Sequence, residues 1–321
     1  TYSYDPAYLI YTDGTSASPR GVLHAHRALW GRRQLQTEWL GLTQKDRILH
    51  TGADNWARSI GYGLMDPLCR GAAVILLSPP KLRRVFDQAL PILVELTGAT
   101  VVAAMPAHFI TALKSGTVKA DSMPSLTRAV SSGAILPAHV TQEWQSVTGR
   151  PIYDGYELAE IASPIYSGAD CAVKPGKIGK PAPGRKLAIL APDAGLKNVS
   201  VNQIGVIATH RSDPALMLGY WNDAATTKAA VRGAWFLTGD LALRDQDGYI
   251  QYEGRLASLV NVEGYVVPQD GVTLAPNELN RSLAPLLVDY KRPKKWIEVD
   301  GLPKTASGKL ARFALAEALA V

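Results

Sequence analysis

A loop rich in glycine, serine and threonine stands near the start of the sequence, at residues 11–22, and reads YTDGTSASPRGV. It follows a short apolar run at residues 7–10, which predicts a buried strand. Such a loop can turn several backbone N–H groups and hydroxyls toward one point, and Arg20 adds a fixed cation with forked donors. The pattern therefore predicts a phosphate site, with an ordinary polar turn as the alternative.

Three further motifs follow along the chain. Residues 153–160 read YDGYELAE, and residues 302–309 read LPKTASGK. Between them, WFLTGD at residues 235–240 is followed by DQDGY at 245–249 and by GR at 254–255.

In order and spacing, the four motifs resemble the signatures of the adenylate-forming superfamily: acyl-CoA synthetases, peptide-synthetase adenylation domains and firefly-type luciferases. The family patterns are Y-T-S-G-T-T-G-x-P-K-G-V, D-G-Y-G-x-T-E, W-F-x-T-G-D with D-x-D-G-Y and G-R, and L-P-K-T-x-S-G-K. One short motif carries little weight, but four in the right order extend over almost the whole chain. The sequence most resembles a carboxylate–CoA ligase.

The resemblance implies an ATP-dependent ligase that forms acyl-AMP and then an acyl-CoA thioester, with ATP, Mg²⁺ and coenzyme A as cofactors and substrates. It implies catalytic roles for Lys309, Thr15 and Glu160, with Glu160 as the Mg²⁺ ligand. Trp56 and Tyr62 are expected at the acyl pocket, and for Trp56 a plain core position is the alternative. The residues implied in ATP or AMP binding are Thr12, Gly14, Thr15, Ser16, Arg20, Gly133, Ala134, Asp154, Gly155, Tyr156, Asp240 and Arg255.

Some of these residues have specific implied roles. Asp240 resembles the acceptor for the ribose hydroxyls, with Arg255 as its partner on the ribose side, and a turn or cap residue is the alternative for Asp240. Gly133 and Ala134 resemble the step at which the backbone approaches adenine, and for Gly133 a strand terminator is the alternative. Lys309 resembles the lysine that reaches the carboxylate and the α-phosphate, with a solvated lysine as the alternative.

The sequence also departs from the family patterns. The departures are Asp13 for Ser or Thr, Ala17 for glycine, Arg20 for lysine, Glu157 for glycine, Ala159 for threonine, and Ala257 and Ser258 for two aspartates. They leave a non-catalytic nucleotide- or acyl-binding homologue open as an alternative function. A stand-alone adenylating enzyme that loads a carrier protein is a second alternative.

Strands that alternate with helices up to residue 160 predict βα units and a mostly parallel sheet. Strands are expected at 47–50, 72–77, 101–105 and 128–134, and helices at 29–40, 83–97 and from 108 onward. A cleft at the carboxyl ends of the strands would collect the loop at 14–20, the Gly133 turn and a turn at 153–160. Short strands with Gly and Pro turns then predict a small β-rich subdomain.

The predicted fold is the α/β adenylate-forming fold in two domains. Residues 1–254 are expected to form the large domain of βα units with its β-rich subdomain, and 255–321 a small, mobile α+β domain. Compared with the family, we expect the sequence to lack an N-terminal subdomain and a segment of the small domain after about residue 268.

The composition, 47% hydrophobic and 19% charged residues, excludes disorder for most of the chain. The formal net charge of +6 is spread along the chain, which favours a small anionic ligand over nucleic acid. The sequence predicts no signal peptide and no transmembrane segment, and its two cysteines give no disulfide framework, so a cytoplasmic protein is expected. The expected partners are a carboxylic acid, fatty or aromatic, with ATP and CoA, and a homodimer is left open.

Overall fold

The structure, a computed structural model, describes residues 1–12, 19–51, 60–77, 80–191, 196–256, 263–266, 275–283 and 295–299. Five residues with expected roles lie outside these ranges: Gly14, Thr15, Ser16, Trp56 and Lys309.

The strands, in chain order, are β1 (Pro6–Tyr11), β2 (Gly21–Ala25), β3 (Arg47–His50), β4 (Ala73–Ile75), β5 (Val101–Ala104), β6 (Arg128–Ser132), β7 (Ile152–Leu158), β8 (Ile161–Tyr166), β9 (Lys180–Pro181), β10 (Leu187–Leu190), β11 (Gly205–His210), β12 (Gly219–Tyr220), β13 (Val231–Arg232), β14 (Trp235–Arg244), β15 (Ile250–Arg255), β16 (Glu263–Val266) and β17 (Lys295–Glu298). The helices are α1 (Arg27–Gly31), α2 (Arg33–Glu38), a π-helical turn (Gly61–Met65), α3 (Asp66–Cys69), α4 (Pro80–Thr97), α5 (Pro106–Lys114), α6 (Ala138–Thr148), α7 (Ala224–Ala229) and α8 (Pro276–Leu283).

The chain forms two compact units, a larger one that contains Thr1–Thr12 and Arg20–Glu253, and a smaller one to which the described residues from Gly254 onward belong. In the smaller unit, β16 and β17 pair in parallel, and α8 lies between them in sequence. Parallel neighbours require a crossover connection, and a helix is the usual form of one. No helix within the described ranges is long and apolar enough to cross a bilayer.

The centre of the larger unit is a sheet in the order β4-β3-β5-β6-β7-β8-β9. The strands from β4 to β7 pair in parallel, whereas β8 and β9 are antiparallel additions. The connections between β4, β5, β6 and β7 run through α4, α5 and α6, which is the predicted βα pattern.

Apolar side chains cover both faces of this sheet. Along β5, Val102 lies in a buried cluster with Phe109 and Trp144, whereas its neighbour Val101 lies in a second cluster that contains Trp39. Because successive side chains of a strand point to opposite faces, both clusters need apolar residues, and the strand becomes a continuous apolar run. This explains why β5 could be predicted from sequence.

Two predicted elements are shorter than expected. The strand expected at 72–77 is only β4, an edge strand whose Val74 and Ile75 pack against the two clusters, while Leu76 beyond it is exposed. The helix expected at 29–40 is two short helices, α1 and α2. Gly31, which ends α1, packs so closely that a Cβ there would lie 2.6 Å from the Ala215 nitrogen, and glycine has low helix propensity.

Two smaller sheets complete the larger unit. One has the order β1-β2-β12, and the other contains β10, β11, β14 and β13, with β15 paired to β14. The second sheet is built from short antiparallel strands, as predicted for the β-rich subdomain.

Candidate active site

The expected phosphate motif begins in β1 and ends in β2, and these two strands pair in antiparallel fashion. Thr12 and Arg20 close the base of this hairpin: the Thr12 N–H donates to the Arg20 carbonyl at 2.9 Å, and the Arg20 N–H donates to Thr12 Oγ1 at 3.0 Å. The prediction that this loop follows a buried strand was wrong, since only Ile10 of β1 is buried. The reason is that β1 belongs to the small antiparallel sheet rather than to the central one.

Glu160 follows β7 in a two-residue turn before β8, and its side chain has a specific partner. The Tyr220 hydroxyl donates to Glu160 Oε1 at 2.7 Å, and the Glu160 carbonyl accepts from the Met217 N–H at 2.9 Å. The Arg20 guanidinium carbon lies 5.8 Å from the centre of the Tyr220 ring, within cation–π range. The structure thus brings together two residues from different motifs, Arg20 and Glu160, on one tyrosine.

The expected turn at 153–160 is in fact strand β7 as far as Leu158, and the turn is confined to Ala159 and Glu160. The residues of this stretch pair with β6 on one side and β8 on the other, so their alternation is that of a buried strand. As neighbours in a strand, Tyr156 and Glu157 point to opposite faces of the sheet.

The turn at Ala159 and Glu160 is also held from β2. His24 is almost fully buried, its ring stacks on Tyr8 with centroids 4.9 Å apart, and its Nε2–H donates to the Ala159 carbonyl at 2.8 Å. Burial, together with the charges of Arg32 and Arg27, lowers the pKa of His24 to about 4. The imidazole is therefore neutral at pH 7.

We expect His24 to make the protein less stable in acid. Between pH 6.5 and about 4 the unfolded chain binds a proton on this imidazole that the folded chain does not, so the free energy of unfolding falls as the pH is lowered. The full effect is about 3 kcal/mol. Urea unfolding at pH 7.5 and 4.5 should show that His24→Gln is less pH-sensitive than the wild type by about that amount. The same change at the exposed His26 should leave the pH dependence unchanged, and an equal pH dependence in all three proteins would contradict the account.

Tyr156 and Asp240 come from two different motifs and meet in the larger unit. Asp240 lies in β14 and is buried, so it is neither a turn nor a cap residue. The Tyr156 hydroxyl donates to Asp240 Oδ2 at 2.7 Å, and the Tyr252 hydroxyl makes a longer contact of 3.4 Å to Oδ1. Burial, and then the charge of Asp240, raise the pKa of Tyr156 well above its usual range, so its hydroxyl keeps the proton that it donates.

Asp240→Ala is expected to weaken ATP binding by about 10- to 100-fold, the usual worth of hydrogen bonds from neutral donors to a charged acceptor. The dissociation constant would be measured by calorimetry on the full-length protein without an acid substrate. Asp247→Asn is the control, because its carboxylate is 70% exposed and pairs with Lys174. Unchanged ATP affinity in Asp240→Ala would remove Asp240 from the nucleotide site.

The remaining expected nucleotide residues lie just after β6 and within the neighbouring strand β7. Gly133 directly follows β6 and has φ +92°, a conformation that favours glycine, and Ala134 beside it is exposed. Asp154 lies in β7, and burial raises the pKa of its carboxyl well above the usual range. A Cβ at Gly155 would lie 2.5 Å from Trp39 Cζ2, so an indole ring fills the space beside this glycine.

Tyr62 and Arg255, the other expected site residues, lie in separate units. Tyr62 is buried in the π-helical turn; its hydroxyl lies 2.7 Å from Ser132 Oγ, and its ring packs edge-on against Trp39. Arg255 ends β15 and belongs to the smaller unit.

Glu157, which stands in place of a family glycine, belongs to a buried group of charges. Arg32 donates to both oxygens of Asp66, from Nε at 2.9 Å and from Nη2 at 2.6 Å, and its Nη1 lies 3.6 Å from Glu157 Oε1. Gln36 adds a donor to Asp66 at 3.0 Å. Glu157 therefore lies near a guanidinium that it shares with Asp66.

Sequence reasoning did not assign roles to Tyr220, His24 or Arg32. Tyr220 belongs to MLGYWN at residues 217–222, a segment that matches the family, so the segment was a usable signal. For His24 and Arg32 the signal is weaker: a polar residue among apolar ones near a strand or helix does not reveal which distant partner it meets.

Comparison with known proteins shows which family the chain matches. Residues 3–221 match the family described as AMP-binding enzyme, and residues 261–309 match its C-terminal domain. The chain is 28% identical to the uncharacterized acyl–CoA ligase YtcI of Bacillus subtilis (strain 168) over 97% of its length, and 27% identical to the 3-hydroxybenzoate–CoA ligase of Aromatoleum sp. (strain CIB) over 98%. It spans 65% and 66% of the lengths of these two relatives.

Solved structures show the same fold. ATP-bound MatB from Rhodopseudomonas palustris superposes with a TM-score of 0.83 at 22% identity, and covers 99% of this chain and 69% of its own. A benzoate CoA ligase from Burkholderia xenovorans LB400 gives a TM-score of 0.83 at 24% identity, with 98% and 69% covered. The predicted adenylate-forming fold is thus confirmed, and the chain belongs to the AMP-binding enzyme family.

Proposed function

We propose that the protein is an AMP-forming carboxylate–CoA ligase that works through an enzyme-bound acyl-AMP. The observation that carries the proposal is that Arg20, from the segment that resembles the family's phosphate motif, and Glu160, from the second motif, both contact Tyr220. The names of the relatives support the second product, since the family members described above include acid–CoA ligases.

In the first half-reaction an acid carboxylate oxygen attacks the α-phosphorus of ATP, and pyrophosphate leaves. Both reactants are anions, so the site must supply positive charge and hold them together. Arg20 offers forked donors to the phosphates, and Asp240 accepts from the ribose hydroxyls. Lys309 is proposed as the cation at the reacting carboxylate. Thr12, Gly14, Thr15 and Ser16 would add loop donors to the phosphates.

A magnesium ion fits the residues present. Within the described ranges no three His, Cys, Asp or Glu side chains come together as a metal site, so the protein alone offers no cage. Mg²⁺ is commonly held by one or two carboxylates with substrate phosphates and water, and Glu160, whose Oε1 is fixed by Tyr220, is suited to that role. When bound, the ion would neutralise phosphate charge as it develops on the leaving group.

The remaining nucleotide contacts would come from the turn after β6 and from β7 beside it. Gly133 and Ala134 would let the backbone approach adenine, and Asp154, Gly155 and Tyr156 would flank it. Arg255 would act from the ribose side. Residues 1–254 and 255–321 are proposed as the two domains, the second moving between half-reactions by a hinge.

For the acid, a benzoate-type substrate is the first candidate. The alignments with relatives named for 3-hydroxybenzoate, 4-hydroxybenzoate and benzoate cover 98–99% of this chain. The names of other relatives specify acetyl-coenzyme A and long-chain fatty acids. Tyr62, with Trp56, is proposed at the acyl pocket. Its buried ring would contact an aromatic acid edge-on or face-on.

A non-catalytic homologue is the second candidate, and the departures Asp13, Ala17 and Ala159 favour it. A further departure, Glu157, lies 3.6 Å from the Arg32 guanidinium, which it shares with Asp66.

The thioester product tests the proposal. The full-length protein, incubated with benzoate, ATP, Mg²⁺ and CoA, should form benzoyl-CoA and AMP, identified by mass spectrometry. Replacement of CoA by a phosphopantetheinylated carrier protein should give no acyl-carrier product. Loading of the carrier but not of CoA would support the alternative enzyme, and neither product with any acid would support the binding protein.

A further inference from the structure

Tyr220 makes a contact to Glu160 that limits the freedom of the carboxylate. A hydroxyl that donates to an ionised carboxylate at 2.7 Å forms a charge-assisted bond, which is stronger than one between neutral groups. A free glutamate side chain samples many rotamers, and ordering it for a metal ion costs conformational entropy. The bond to Oε1 meets part of that cost before any ion binds.

Tyr220 is itself firmly held. It lies in β12, opposite Val22 of β2, and its N–H donates to Thr227 Oγ1 at 2.9 Å. Its ring packs against the buried cluster that contains Val22, Leu216 and Phe236. A rigid strand and a packed ring fix the position of the hydroxyl, so the hydroxyl can fix the carboxylate.

The same ring also contacts Arg20. The guanidinium carbon stands 5.8 Å from the ring centre, so the two charged groups proposed for the triphosphate and its metal ion share one side chain. The ring acts on Arg20 and the hydroxyl acts on Glu160, which means that two substitutions can separate the two contacts.

We infer that Tyr220 is a positioning residue that orients Glu160 for a divalent cation bound with ATP, and that its ring supports Arg20 at the phosphates. The inference rests on the proposed function for the role of Glu160. Loss of the residue that orients a metal ligand typically lowers metal affinity by about 10- to 100-fold. Loss of a cation–π contact at an exposed site lowers binding affinity by about two- to five-fold.

The test uses binding without turnover and then kinetics. Mn²⁺ is titrated into the full-length protein with ATP and no acid, and bound Mn²⁺ is measured by electron paramagnetic resonance. Tyr220→Phe should weaken Mn²⁺ binding about 10-fold without changing ATP binding in the absence of metal. Tyr220→Leu should do the same and also weaken ATP binding about three-fold.

The matched control is Tyr249→Phe, which removes a hydroxyl that donates to the Ala172 carbonyl at 3.0 Å. It should bind Mn²⁺ and ATP like the wild type. In pyrophosphate release, Tyr220→Phe should need about 10-fold more Mg²⁺ for half-maximal velocity and should recover wild-type kcat at saturating Mg²⁺. A purely structural role would instead lower kcat at every Mg²⁺ concentration.

The outcomes separate the two proposals. If the wild type releases pyrophosphate but Tyr220→Phe binds Mn²⁺ with wild-type affinity, the inference is overturned and the proposed function stands. If Tyr220→Phe binds Mn²⁺ more weakly but the wild type releases no pyrophosphate with any acid, the inference is supported and the proposed function is overturned. Absence of metal–ATP binding in the wild type would overturn both.

Discussion

Arg32→Met is expected to lower the free energy of unfolding by about 3–5 kcal/mol, which is what loss of one partner from a buried ion pair commonly costs. Asp66 has no exposed surface and would keep only the donor from Gln36, while Glu157 would lose a cation 3.6 Å away. Methionine fills much of the arginine's volume, so the loss comes mainly from the two carboxylates that remain buried.

Urea unfolding at pH 7.5 measures this effect. Arg33→Met is the matched control, because the neighbouring Arg33 is exposed and should change stability by no more than about 0.5 kcal/mol. Similar losses in both variants would show that the buried charge group is not what makes Arg32 important.

Glu160→Gln is expected to lower kcat/KM for acid-dependent pyrophosphate release by about 100-fold or more, because a metal ion supplies several kcal/mol of charge stabilisation to phosphoryl transfer. Glutamine keeps the length of the side chain and an oxygen that can accept from the Tyr220 hydroxyl, so the change removes chiefly the negative charge. ATP affinity measured without metal should stay at the wild-type value.

Glu143→Gln is the control, because it makes the same chemical change at an exposed residue of α6, away from the proposed site. Equal rates in Glu160→Gln and Glu143→Gln would remove Glu160 from the proposed metal site.

The central sheet was predictable because short stretches of sequence carry the hydrophobic patterns of its strands and helices. Strand β5 is buried on both faces, so it appears in sequence as an unbroken apolar run, and α4 follows a long amphipathic pattern. The four motifs also identified the family, because their order and spacing hold information that no single element carries.

The contacts that organise the site were not predictable in the same way. Tyr220 meets Glu160 across 60 residues, and Arg32 meets Asp66 across 34, and neither pairing leaves a periodic trace in the sequence. The strand at residues 7–10 was expected in the central sheet, but a short apolar run does not reveal which sheet it joins. The guanidinium of Arg32 near Glu157 was likewise not foreseen, and Glu157 was counted only as the loss of a glycine.

Acid-dependent release of pyrophosphate by the full-length protein is the most direct test of adenylation. ATP and Mg²⁺ would be supplied with benzoate, hydroxybenzoates, acetate and a long-chain fatty acid in turn, with no CoA present and an acid-free reaction as the blank. The account predicts that at least one acid raises pyrophosphate release above the blank. The pyrophosphate released should equal the acyl-AMP formed. Tight ATP binding with no release for any acid, in protein whose stability is intact, would contradict it.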